Sequence, residues 1–100
     1  MTDDKNKQDL TEYHDAFVSA AKLQGDATKT GDSRTANRQY TILKRIFIKA
    51  QKNIDGAKIF YKTLRNNSEP NARLWACAHS LALGIDVSEA EKGLNIFISK

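Results

Sequence analysis

Few residues in this sequence are of types that do chemistry: Cys77, His14, His79, Asp26, Asp32 and a run of cations that begins at Arg34. A reactive thiol needs exposure and an electropositive or His-paired setting. Cys77 stands between Ala76 and Ala78 in the most apolar stretch of the chain, where a free cysteine packs as a small, inert hydrophobe. His14 and His79 are the residue types of an acid/base pair for RNA cleavage, one deprotonating and one protonating. They fall on different predicted helices with no donor cluster beside them, and His79, four residues after Trp75, is placed to stack on that indole. Asp26 and Asp32 follow Gly25 and Gly31, but a calcium loop needs ligands at alternate positions and a closing Glu, which are missing. Those glycines read as turn residues. Phosphate loops, the His-Glu-x-x-His zinc pattern and a nucleophile elbow are absent from the sequence. One Cys and two His exclude a disulfide framework and a Cys/His zinc cage within one chain. The expectation is a chain without catalytic residues, cofactor or metal.

The cations form the clearest pattern. Residues 1–33 hold seven acids and four bases, residues 34–73 ten bases and two acids, and residues 74–100 two bases and three acids. The net charge of +4 therefore hides a middle block of +8. At 100° per residue, Arg34, Arg38, Arg45 and Lys52 cluster within about 40° on one side of a helix, flanked by Lys44 and Lys49. Helical turns rise about 5.4 Å, a spacing able to follow a nucleic-acid backbone. A solvated charged face, or arginines set against carboxylates of a protein partner, fits the same pattern. Arg38 and Arg73 are equally open to structural roles, bridging to an Asp or to helix-end carbonyls. No exposed aromatics interleave the stripe for stacking on single strands.

The elements that carry these residues are helical. Proline occurs once, at position 70, and no segment calls for a strand. A first helix is expected over about 7–24, with Leu10, Tyr13, Phe17, Ala20 and Ala21 inward and Gly25 as its stop. A loop over 25–33 leads to a second helix, about 33–52, capped by Asp32 or Ser33. Its apolar stripe is Ala36, Tyr40, Leu43, Phe47 and Ala50, with Ile46 on the margin. Asn53 or Asp55 caps a third helix, about 55–66, with Ala57, Phe60, Tyr61 and Leu64 inward. Ser68 caps a fourth, about 69–83, with Pro70 in its first turn. This helix is apolar nearly all round and is expected at the centre of the fold, ending at Gly84. Asp86 or Ser88 caps a fifth, about 87–98, with Val87, Ala90, Leu94, Phe97 and Ile98 inward and Gly93 weakening it. Ile42, Ile48 and Ile59 flank the core stripes of the second and third helices; burial among neighbouring helices or a partner-binding patch would account for them.

Together these give an all-α fold of about five antiparallel helices in one domain over residues 7–100, after a flexible N-terminal tail over 1–6. No apolar run approaches the roughly 18 residues of a membrane span and the polar start does not read as a signal peptide, so a cytoplasmic protein without a membrane partner is expected.

Two segments carry a resemblance. Gly31-Asp-Ser-Arg34-Thr-Ala-Asn37-Arg38-Gln-Tyr40-Thr-Ile-Leu43 resembles the GD-x-R-x-x-N-R-x-Y-x-x-L opening of the bacterial domain of unknown function numbered two thousand and nineteen. Pro70-Asn-Ala-Arg73-Leu-Trp75-Ala76-Cys-Ala78-His79-Ser-Leu81, with Glu89-Ala90-Glu91 after it, is similar to that family's P-x-x-R-x-W-A-A-x-x-L segment. Cys77 stands where the pattern has a small residue. The resemblance spans roughly residues 8–98 and implies an armadillo/HEAT-like α–α superhelix with no assigned catalytic residue. Small proteins of this general kind also occur as immunity proteins beside bacterial toxin genes, by analogy of fold.

The function expected is accordingly that of a non-catalytic, macromolecule-binding module, specifically an immunity protein that neutralises a cognate toxin by direct binding. The candidate partner-binding residues are Arg34, Arg38, Lys44, Arg45, Lys49 and Lys52. Such an interface requires an acidic toxin surface, or docking instead through the acidic first helix at Asp9, Glu12 and Asp15. The alternative is a nucleic-acid-binding helical-repeat protein that uses the same basic face.

Overall fold

Three side chains open three of the helices. Asp32 Oδ1 accepts from the Thr35 amide at 3.1 Å, Asn53 Oδ1 from the Gly56 amide at 3.0 Å, and Glu69 Oε2 from the Asn71 amide at 3.0 Å. Each satisfies a backbone donor that the first helical turn leaves without a partner. The computed structural model describes residues 10–98, with side chains as far as Asn95. Over these residues the fold is all-α. A 3-10 turn, Thr11–Tyr13, leads into α1 (His14–Thr30), followed by α2 (Ser33–Gln51), α3 (Ile54–Arg65), α4 (Pro70–Leu83) and α5 (Val87–Ile98). The expected tail over 1–6 lies outside the described residues, as does the predicted helical start at 7–9.

Short links join consecutive helices, each of which packs against the next. α1 lies along α2, α4 lies against α3 and α5, and α1 also crosses to α4. By contrast, α2 and α4 scarcely approach one another along their backbones. The core runs through this arrangement as Phe17, Leu43, Tyr61 and Leu64, all fully buried, with Ala20, Ala21, Ala50, Ala57, Ala72 and Ala76 where helices come close. Phe17 sits edge-on to Phe60 at 5.7 Å, to Tyr61 at 5.9 Å and to His79 at 5.8 Å. Such geometry places positive ring edges on negative ring faces.

The helix ends correct the sequence expectation in two places. Gly25 does not stop the first helix, and 25–33 is not a loop. Gly25 lies inside α1, where an added Cβ would meet the Asn71 side chain of α4 at 2.6 Å, so this glycine permits a close crossing. The stop is Gly31, left-handed at φ 77°, and the Asp32 amide returns to the Ala27 carbonyl at 2.8 Å. Gly84 ends α4 in the same way, with the Ile85 amide on the Ser80 carbonyl at 2.9 Å and Ile85 buried beneath. Ser68 is not the cap of α4; Glu69 is. The carbonyls of Asn67 and Ser68 instead accept from Arg73 Nη1, at 2.9 and 3.2 Å.

Burial departs from the expected stripes where α2 and α4 separate. Tyr40 is 46% exposed and Phe47 is half-buried, while Ile46, placed on the margin by the sequence, is buried. α4 is not covered all round: Ala78 and Ala82 are exposed and Trp75 is half-buried. In α5, Ala90 is buried, Leu94 half-buried and Val87 exposed; the side chains of Phe97 and Ile98 lie outside the described residues. Ile42 packs partly buried against the core, whereas Ile48 and Ile59 are exposed.

Gly93 is a second close approach. A Cβ there would stand 2.5 Å from Cys77 Sγ, so the thiol occupies the space the glycine leaves. Gly93→Ala should lower stability by about 1 kcal/mol or more, overpacking outweighing the roughly 1 kcal/mol gained in helix propensity. Adding Cys77→Ala should restore it. Urea unfolding of the two single variants and the double variant measures this; a Gly93→Ala protein more stable than wild type would contradict the contact.

Candidate interaction site

The cations of the middle block divide into two kinds. Arg65 and Arg73 belong to the fold. Arg65, with its side chain only 9% exposed, donates to Ser80 Oγ at 2.7 Å and to Asp86 Oδ2 at 2.6 Å, tying α3 to α4 and to the turn before α5. Asp86 holds that turn at φ 44°. Arg73 secures the link before α4, one of the structural roles open to it from the sequence.

The six candidate residues are all exposed, Arg34, Arg38, Lys44, Arg45 and Lys49 along α2 and Lys52 at its C-cap. The arc of α2 that faces the core is Leu43, Ile46 and Ala50, so the opposite side is free to carry charge. Among the described residues, no ion pair within 4.0 Å engages Arg34, Arg38, Lys44, Arg45 or Lys52. Lys49 is partly committed, its Nζ lying 5.6 Å from the centre of the Tyr13 ring. The Thr35 hydrogen bonds hold the Asp32 carboxyl below its ordinary range, with Arg38 adding to the effect.

Beside this face lies a groove that the sequence reading did not anticipate. Tyr40, Lys44 and Phe47 from α2 and Trp75, His79 and Ala82 from α4 enclose about 240 Å³. Tyr40 and Trp75 stand 5.9 Å apart, Phe47 and His79 4.8 Å, Trp75 and His79 5.6 Å. The groove exists because α2 and α4 are held apart by α1 while their aromatic side chains lean together.

The residues weighed for catalysis are occupied by packing. His79 Nδ1 is 3.0 Å from the Tyr61 hydroxyl, and its ring touches Phe17, Phe47 and Trp75, the last as the sequence spacing implied. His14 is instead next to Asp15, with Nδ1 3.4 Å from its carboxylate. Burial lowers His79 to about 4 and pushes the Tyr61 phenol well above its ordinary value. Cys77 is buried, and burial raises its thiol pKa while Arg65 and Arg73 oppose the shift. Asp26 pairs with Lys22 at 2.9 Å and Asp32 caps α2. Among the described residues no cluster of His, Cys, Asp or Glu is arranged to hold a metal ion, and no helix is long and apolar enough to cross a membrane.

No family model, no curated protein and no solved structure matches this chain.

The buried imidazole makes stability depend on pH. The unfolded chain takes up this proton near pH 6.5 and the folded chain near 4, so the contribution is complete above 6.5 and lost as pH falls through that window. Between pH 7 and pH 4 the loss from His79 should be about 3 kcal/mol. Urea midpoints across this range should fall steeply for wild type and less steeply for His79→Gln; equal slopes would contradict the assignment.

Proposed function

We propose that this chain is a non-catalytic module that acts by binding an acidic protein surface, and that its role is that of an immunity protein neutralising a cognate bacterial toxin by direct contact. The observation that carries the reading is the exposed face of α2. Cations held away from carboxylates are available to a partner, and an arginine–carboxylate pair buried in an interface contributes far more than a solvated one. The functional reading also draws support from Cys77, whose thiol is buried against Gly93, and from His79, whose Nδ1 is engaged by Tyr61. The fold offers a wide surface for its mass. Its shortest dimension is 21 Å, about two helix diameters, which suits the stacked helical hairpins of an armadillo/HEAT-like superhelix. Membership of the resembling bacterial family is part of the same proposal.

A second reading is favoured by one observation. Tyr40 is exposed one turn from Lys44 and faces Trp75, so aromatic surface does accompany the cations, as single-stranded nucleic acid would need. The two readings separate on salt and on charge reversal. Tagged chain should recover one stoichiometric protein from its host's extract, and Arg34→Glu, Arg38→Glu and Arg45→Glu combined should weaken that complex about a hundredfold. Recovery of DNA or RNA alone, lost with a steep log–log dependence on salt, would overturn the protein-binding reading.

A further inference from the structure

We infer that the groove between α2 and α4 is a docking pocket for one aromatic or large aliphatic side chain borne on an acidic segment of the partner protein. The inference rests on the protein-binding reading above and names the chemistry that reading would meet at this place. Size decides against a cofactor or metabolite. About 240 Å³ falls below the roughly 300 Å³ at which small-molecule pockets begin, but suits a single anchoring side chain.

The lining decides what kind of anchor. Four of the six lining residues carry rings, and the pairs Tyr40–Trp75 and Trp75–His79 already stand at edge-to-face separations that an incoming ring would extend. Charge decides what surrounds the anchor. No acid lines the groove, Lys44 stands on its rim, and the α2 cations continue from there along the exposed face. An acidic flank on the incoming segment is therefore attracted, and a basic one repelled. The groove also offers one polar contact. Nδ1 of His79 is taken by Tyr61, while Nε2 has no partner among the described residues, and no buried side-chain nitrogen is left without one there. Nε2 therefore opens to solvent in the groove. Nε2 donates in the tautomer in which Tyr61 donates to Nδ1 and accepts in the other, so either tautomer offers the incoming segment one hydrogen bond.

Trp75 is the only tryptophan of the chain and lies in the pocket, so its emission reports occupancy directly. The probe is a displayed library of short random peptides, selected against the wild-type chain and counter-selected against Tyr40→Ala. The enriched peptides should be acidic, should contain an aromatic or large aliphatic residue, and should shift Trp75 emission to the blue when bound. Tyr40→Ala and Lys44→Glu should each weaken them about tenfold. Both side chains are exposed, and unchanged thermal midpoints separate lost binding from lost folding. Enrichment of basic peptides, of peptides without a large apolar residue, or of none above the counter-selection would overturn the inference. So would oligothymidylate that shifts Trp75 and displaces the selected peptides. If the partner recovered from the host binds Tyr40→Ala and Lys44→Glu as tightly as wild type, the pocket assignment falls while the protein-binding reading stands. If nucleic acid alone is recovered, both fall.

Discussion

The hydrogen bond between the Tyr61 hydroxyl and His79 Nδ1 joins α3 to α4 at the point where Phe17 of α1 and Phe47 of α2 also converge. Both partners are polar groups placed among rings. Each would be costly to bury alone, by roughly 1–3 kcal/mol, and each satisfies the other. Burial opposes protonation of this imidazole and keeps it uncharged at neutral pH. Trp75, one turn before His79, stands 5.6 Å from that ring and 5.9 Å from Tyr40 on α2, so the groove adjoins this junction.

Small residues set how close the other helices come. Asn71 fills the space above Gly25 where α1 crosses α4, and Cys77 Sγ fills the space above Gly93 where α5 meets α4. Ala20, Ala21, Ala72 and Ala76 are buried in the core that these helices share. Arg65 then fastens α3, α4 and the Asp86 turn with two short hydrogen bonds. With α4 committed on these sides, its remaining side, bearing Ala78 and Ala82, stays open. The narrow core arc of α2 likewise leaves its cations in water.

Much of this was legible from residue types and local chemistry. Asp32, Asn53, Pro70 and Gly84 mark helix ends through backbone geometry that depends on their own side chains or the lack of one, so the second, third and fourth helices fall within about two residues of their expected bounds. The inward set of α3 is fully as expected, because Ala57, Phe60, Tyr61 and Leu64 are covered by neighbours along the whole helix. Gly25 was illegible for the opposite reason. Whether a glycine breaks a helix or admits a crossing depends on Asn71, a residue far away in sequence. Tyr40 and Phe47 fall on the apolar side of α2 on any helical projection, yet periodicity says only which side is apolar and not whether a second helix covers it. The basic face was plain in sequence; the aromatic groove beside it depends on the separation of α2 from α4.

The central claim is one of place: the partner is met by the outer face of α2 and the adjoining groove. Amide and indole NMR spectra of the isotope-labelled chain, recorded free and bound to the protein recovered from its host, test this most directly. The account predicts that the largest shifts fall at Arg34, Arg38, Lys44 and Arg45 and at the Trp75 indole. Shifts confined to Glu12 and Asp15, in the turn before α1 and its first turn, with α2 and Trp75 unmoved, would contradict it.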